Sequence, residues 1–244
     1  YLTGRTVEPK DAAAVTDAGG DGIAIRVDHA DDASVAALFE QVDAADGRLD
    51  LLVNNAATIS DELTGTAPFW EKPLALSDVI DVGLRSAYVA SWYAAPLLLR
   101  GDRGLIAFTS SPGAVCYMHG PAYGAQKAGL DKMAADMAVD FAGTGVCIVS
   151  VWMGILLTER MRRAFDGRPD ALAAFADHAE TPEFTGRIID ALYRDPDLPN
   201  LSGHTVIGAE LAARYGITDE GGRRPPSHRD ALGSPREPST VVVR

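Results

Sequence analysis

Short runs of β-branched residues and leucine alternate along the chain with helix-length segments. That alternation predicts an α/β domain: a doubly wound parallel sheet with helices on both faces. Tyr1–Thr3 reads as the end of a buried strand, and Glu8–Ala18 as a helix stopped at Gly19-Gly20. Ile23–Val27 predicts a short strand. Asp31–Ala45 predicts a helix, because Val35, Leu38, Phe39 and Val42 recur at helical spacing. Leu49–Val53 predicts a buried strand running into Asn54-Asn55-Ala56-Ala57, followed by a loop holding Pro68 and Pro73. One long helix is predicted over Leu76–Leu99, a strand over Leu105–Thr109, and an alanine-rich helix over Ala122–Phe141. Val146–Trp152 predicts another buried strand, and Met153–Glu183 an irregular to helical, mobile stretch. Thr185–Tyr193 predicts a helix and His204–Ile207 the last strand. One domain is expected over 1–216. The stretch 217–244, rich in Pro, Arg, Ser and Asp, is expected to be disordered or loosely held.

Composition narrows the function classes. The 244 residues suffice for one large domain with a sizeable core, and the apolar fraction is 47% with only 7% aromatic. A net charge of −12 argues against a nucleic-acid or anionic-membrane partner. Two cysteines, Cys116 and Cys147, suggest neither a disulfide framework nor a zinc site, so a cytoplasmic location is expected. The longest nearly apolar run, Ala87–Leu99, is too short to span a bilayer. The first residue is Tyr1 rather than methionine, and an N-terminal piece is expected to precede it.

The chemistry concentrates after the strand that ends at Ser110 and Ser111. Tyr123 and Lys127 are four apart, so a helix through them places both side chains on one face. An ammonium beside a phenol favours the phenolate and gives a general acid/base usable near neutral pH. A serine hydroxyl upstream could donate to a carbonyl oxygen. Taken alone, Tyr-x-x-x-Lys also fits an ordinary helix surface. Further candidates lie at predicted strand ends, where open parallel sheets bind ligands: Arg5, Asp28, Asn54, Ser110, Ser111 and Gly154.

In order, Asn54-Asn55-Ala56, Ser110-Ser111, Tyr123-x-x-x-Lys127 and Met153-Gly154-x-x-x-Thr158 resemble the short-chain dehydrogenase/reductase family over residues 1 to about 210. Gly47-Arg-Leu-Asp-Leu-Leu-Val-Asn-Asn-Ala56, Pro68-Phe-Trp-Glu71 and Val151-Trp-Met-Gly-Ile155 resemble the branch called family member 1, NADPH-dependent carbonyl reductases. The resemblance implies a Rossmann-like sheet. It implies that Tyr123 gives the proton to a carbonyl oxygen, that Lys127 lowers its pKa and holds the nicotinamide ribose, and that one serine holds the substrate oxygen. Counting back thirteen from Tyr123 gives Ser110, whereas aligning Gly104-x-Ile106-x-x-x-Ser-Ser gives Ser111, which the compact Pro-Gly turn favours. Asp28 is implied against the adenine, Asn54 and Ala56 against the adenosine ribose, and Gly154 and Thr158 against the nicotinamide. Local alternatives stand beside these roles: a turn or cap for Asp28 and Asn54, and a helix cap for Thr158. Strand Tyr1–Thr3 ends in Arg5 with no acid. A guanidinium suits a 2′-phosphate, so NADP(H) is preferred, with NAD(H) possible.

Three departures accompany the resemblance. The family's opening strand and Gly-rich phosphate turn are absent, and Gly19-Gly20-Asp21-Gly22 reads as a helix stop. The place of the family's helix asparagine falls to Asp81 or Gly83, and Met153 stands where a proline is usual. A non-catalytic fragment or scaffold that cannot bind cofactor is therefore the alternative. A hydrolase pairing Ser111 with His119 or His204 lacks a Gly-x-Ser-x-Gly elbow, and the histidines show no metal-ligand spacing. A sugar-nucleotide epimerase shares Tyr-x-x-x-Lys but not Asn-Asn-Ala. Trp70, Tyr117, Met118, Trp152, Met161 and Phe165 are candidates for an apolar pocket, which suggests a bulky apolar carbonyl substrate. Small residues on the two long helices suggest a homodimer or homotetramer.

Overall fold

The computed structural model describes residues 1–176 and 179–243. Among the described residues six parallel strands form in two pieces. Strands β1 (Leu2–Gly4) and β2 (Ala24–Arg26) pair with each other. Strands β3 (Leu51–Asn54), β4 (Gly104–Ser110), β5 (Val146–Trp152) and β6 (Thr205–Ile207) form a second ladder in that order. Among the described residues no ladder joins β1 to β3. A cavity of about 660 Å³ lies between them, lined by Leu2–Arg5 on one side and Leu51–Ala57 on the other.

Alternation along the central strands sends side chains to two cores. Ile106 and Phe108 of β4 and Ile148 of β5 pack on α2 (Asp32–Asp46), α4 (Ser86–Leu98) and α5 (Pro121–Asp140). Leu105, Ala107, Val149 and Val151 face α8 (Pro182–Arg194), α9 (Leu198–Leu201) and α10 (Gly208–Tyr215). Helix α1 (Pro9–Asp17) links β1 to β2. Helix α2 starts where the Asp31 carboxylate caps the Ala33 and Ser34 N–H groups, and it buries Val35, Leu38, Phe39 and Val42, as their spacing predicts.

The long helix expected over Leu76–Leu99 is broken instead. A 3₁₀ turn (Leu74–Ser77) and a single helical turn, α3 (Asp78–Ile80), precede a disrupted stretch over Asp81–Arg85. Val82 adopts φ −107 and Gly83 φ 147, a conformation open to glycine at little cost. The Val82 carbonyl, freed from the helix ladder, accepts from Thr58 N–H at 2.9 Å.

The Met153–Glu183 stretch holds α6 (Glu159–Ala164) and α7 (Pro169–Ala176); Asp177 and His178, within it, lie outside the described residues. Beyond Gly216 the chain is tied back to the domain at several points. Asp219 is buried and accepts from Thr181 N–H at 3.0 Å and Thr181 Oγ1 at 2.6 Å. Arg229, which opens the short helix α11 (Arg229–Leu232), pairs with Glu210 at 2.6 Å. Arg244, at the end of this segment, lies outside the described residues.

Candidate active site

Strand β4 delivers two adjacent serines to opposite environments, because successive side chains along a strand point to opposite faces. Ser110, fully buried, donates to the Lys127 carbonyl at 3.3 Å. Ser111 lies 2.9 Å from Tyr123 Oη through its Oγ, which also accepts from Gly113 N–H and so shapes the Pro112–Ala114 turn. A Cβ on Gly113 would sit 2.6 Å from the Tyr123 ring, so only glycine admits the phenol at this place.

Pro121 at the first position of α5 and Gly120 before it, at φ 101, set the start of the helix that carries Tyr123 and Lys127. One turn separates the two side chains. Lys127 Nζ stands 5.5 Å from the centre of the Tyr123 ring and donates to the Thr109 carbonyl at 3.1 Å. Burial pulls the lysine pKa down to about 8, opposed by Asp131. Proximity to Lys127 alone predicts a depressed Tyr123 pKa, but the net shift is upward. Burial raises the phenol, and the Ser111 hydrogen bond is what pulls it back. The ammonium lies over the ring face and is turned toward Thr109.

Asp131, not singled out by sequence reasoning, sits one turn beyond Lys127. Its carboxylate accepts from Ser150 Oγ at 2.7 Å and Trp152 Nε1 at 2.9 Å. Burial raises its pKa despite three side-chain hydrogen bonds and the nearby Lys127 charge. The Lys127-x-x-x-Asp131 spacing on an otherwise alanine-rich face was the available signal. Trp152, considered for a pocket wall, is instead fully buried core. Of the other candidates, Trp70 and Tyr117 are exposed, whereas the Phe165 ring packs at a tilt against Phe175 at 5.0 Å.

His119 adopts a left-handed φ of 59 and its ring meets Tyr123 edge-on at 5.0 Å. Burial lowers its pKa, and the Lys72 charge adds to the effect. Of the two positions considered for the helix asparagine, Asp81 is exposed and Gly83 is buried against α5. A Cβ on Gly83 would lie 2.7 Å from Gln126 Nε2, so the broken helix turn receives the side chain adjacent to Lys127.

The cavity between β1 and β3 brings together Arg5, Asp28, Asn54 and Ala56. Asp28 also forms a local turn by accepting from Ala30 N–H at 3.0 Å. Asn54 donates to Ser91 Oγ at 3.1 Å, and its carbonyl accepts from Thr109 Oγ1 at 3.2 Å. Gly154 and Thr158 follow β5. Gly154 N–H donates to Glu180 at 2.7 Å, and Thr158 Oγ1 caps α6 by accepting from Met161 N–H at 3.2 Å. Among the described residues, no group of three or more His, Cys, Asp and Glu could hold a metal ion, and no helix is long and apolar enough to cross a membrane.

The short chain dehydrogenase family model matches residues 2–169, across β1 to β5 and the serine, tyrosine and lysine just described. The chain belongs to the short-chain dehydrogenase/reductase family. Its members are oxidoreductases that generally use NAD(P)(H). Dehydrogenase/reductase SDR family member 1 of Mus musculus is 38% identical over 237 residues, covering 91% of this chain and 75% of the relative. The Homo sapiens protein of the same name is 38% identical over 238 residues, with the same coverage. A crystal structure assigned to a dehydrogenase from Xanthomonas campestris shares the fold at a TM-score of 0.72 and 24% identity, covering 88% of this chain and 76% of that one. One assigned to a short-chain alcohol dehydrogenase from Sinorhizobium meliloti 1021 gives 0.67 at 22% identity, covering 84% and 82%.

Proposed function

We propose that the chain reduces a carbonyl, or oxidises the corresponding secondary alcohol, with NADP(H) as hydride partner. The observation that carries this reading is the Ser111–Tyr123–Lys127 group at the carboxyl end of β4. Two hydroxyls 2.9 Å apart converge on one point, backed by a buried ammonium. Tyr123 donates its proton to the carbonyl oxygen, and Ser111 holds that oxygen in place. A phenol with a raised pKa stays protonated through the neutral range, which suits reduction. Lys127 adds positive charge behind the ring, where it lessens the cost of the phenolate left after transfer.

The cavity between β1 and β3 fits the adenosine half of the cofactor. Arg5 lines it and stands directly after β1, where an acid would bind a ribose hydroxyl; this favours a 2′-phosphate. When bound, NADPH supplies the hydride. Asp28, Asn54 and Ala56 would flank the adenosine, while Gly154 and Thr158 would hold the nicotinamide end.

A bulky apolar ketone is the proposed substrate. Ile59, Phe69, Trp70 and Leu74 of the loops after β3, and Tyr117 of the loop before α5, are exposed. Lys72, within those loops, acts electrostatically on His119, which brings the two stretches together at the tyrosine. We also propose pairing of subunits through α4, where Tyr88 and Trp92, one turn apart, are 54% and 63% exposed. Incubation with NADPH and a panel of long-chain ketones, steroids and quinones tests the reaction. Oxidation of NADPH with one of them is expected; neither turnover nor NADPH binding would leave the non-catalytic scaffold as the better reading.

A further inference from the structure

Glu180 is a carboxyl group buried to 2% exposure, outside the Ser–Tyr–Lys group, and three hydrogen bonds tie it to the loop that leaves β5. Its side chain accepts from Gly154 N–H at 2.7 Å. Its backbone N–H donates to the Ile155 carbonyl at 2.8 Å, and its carbonyl accepts from Leu157 N–H at 2.8 Å. Leu156 and Glu180 thereby form an isolated parallel bridge. The fit is close on the side-chain end as well, since a Cβ on Gly154 would lie 2.9 Å from Glu180 Oε2. The same loop begins at Met153, whose N–H donates to the Ser110 carbonyl at 3.1 Å.

We propose that Glu180 is a positioning residue that clasps the 154–158 loop to the start of α8 and so sets the place of Gly154 and Thr158. The other end of the clasp is anchored. Thr181, the next residue, caps α8 and is held through both its N–H and its hydroxyl by buried Asp219. Asp219 in turn pairs with Arg187 of α8 at 3.3 Å and with Arg223 at 2.8 Å. The segment after α10 therefore reaches the loop after β5 through Asp219, Thr181 and Glu180.

The charged groups around Glu180 give the clasp a pH response. Burial lifts its pKa to about 7, the Asp219 charge adds to the rise, and the Gly154 N–H opposes it. The pairs from Asp219 to Arg187 and Arg223 neutralise part of that neighbouring charge. An opened clasp exposes the carboxyl to water, where it ionises more readily. Protonation therefore favours the closed form, and the clasp loosens as pH rises from the ordinary carboxyl range through about 7.

The value of the clasp for catalysis rests on the cofactor role proposed above for Gly154 and Thr158; its existence does not. Amide hydrogen exchange of the ¹⁵N-labelled full chain, corrected for intrinsic rates between pH 5.5 and 8.5, tests it directly. In the wild type the protection of the Gly154 and Leu157 amides should fall at least about tenfold as pH passes through neutrality. Glu180→Gln should keep the protection and lose its pH dependence, while Glu180→Ala should lose protection in this loop but not in β4. If Glu180→Ala does not fold, the flat profile of Glu180→Gln decides alone. Parallel profiles for wild type and Glu180→Gln, or an unchanged loop in Glu180→Ala, would overturn the clasp. NADPH affinity measured on the same variants separates the two readings. A loosened loop with unchanged affinity leaves the clasp standing and removes the cofactor role of Gly154 and Thr158.

Discussion

Ser111 Oγ meets Tyr123 Oη at 2.9 Å, whereas Ser110 Oγ turns away to the Lys127 carbonyl at 3.3 Å. The neighbouring hydroxyls should therefore fail differently. Ser111→Ala removes a donor to the developing oxyanion and should lower kcat/KM by about 10²–10³ with little change in Tm. Ser110→Ala removes a buried hydrogen bond and should cost about 1 kcal/mol of stability with activity within a few-fold of wild type. Steady-state kinetics and thermal melts on both variants check this. Equal kinetic losses would remove the distinction.

The Tyr123 phenol, raised by burial, sets the direction in which pH acts. Its protonated form is the donor in reduction, so reduction should show no acid-side loss from this group and should decline only at alkaline pH. Alcohol oxidation needs the phenolate and should climb by up to about tenfold per unit as pH rises toward the phenol pKa. Tyr123→Phe should lower both directions by about 10²–10⁴. Rates measured in both directions from pH 6 to 10 would show it, and a pH-independent oxidation would contradict it.

Much of this was legible because it is local. The strands around Leu51, Ile106 and Ile148 announce themselves as short apolar runs, and the four-residue step from Tyr123 to Lys127 places both on one helix face. What escaped depends on distant partners. The helix expected over Leu76–Leu99 breaks because Gly83 takes φ 147 and Gln126 of α5 fills the notch, a packing event with no periodic signature. Glu180 read as part of an irregular stretch, since its partner Gly154 lies 26 residues away. For Tyr123, charge proximity is visible in the sequence, whereas the burial that opposes it depends on the packed fold.

Arg5, exposed on the lip of the cavity between β1 and β3, should decide between the two nicotinamide cofactors. A charge-assisted bond to a 2′-phosphate is worth about 1.5–3 kcal/mol, so Arg5→Ala should reduce the NADPH-over-NADH preference by about 10–150-fold. NADH kinetics should barely change, because that cofactor has no phosphate to lose. Titration of both cofactors against wild type and variant measures the ratio. An unchanged preference would place 2′-phosphate recognition elsewhere.

Asp131 should set the alkaline limit of the lysine. Lys127 titrates at about 8 because burial disfavours its charge, and the Asp131 carboxylate holds the value up against that burial. Asp131→Asn keeps an acceptor for Trp152 Nε1 and presents an amide N–H to Ser150 Oγ, which can accept it, but removes the charge. The ammonium should then lose its proton at lower pH, so the alkaline fall in kcat/KM should move toward neutrality by about one unit. At pH 6, where Lys127 is charged in both proteins, the variant should approach wild-type activity. That convergence separates an electrostatic role from simple loss of structure, which would depress activity at every pH. A folded variant with an unmoved alkaline limb would show that Asp131 serves Ser150 and Trp152 alone.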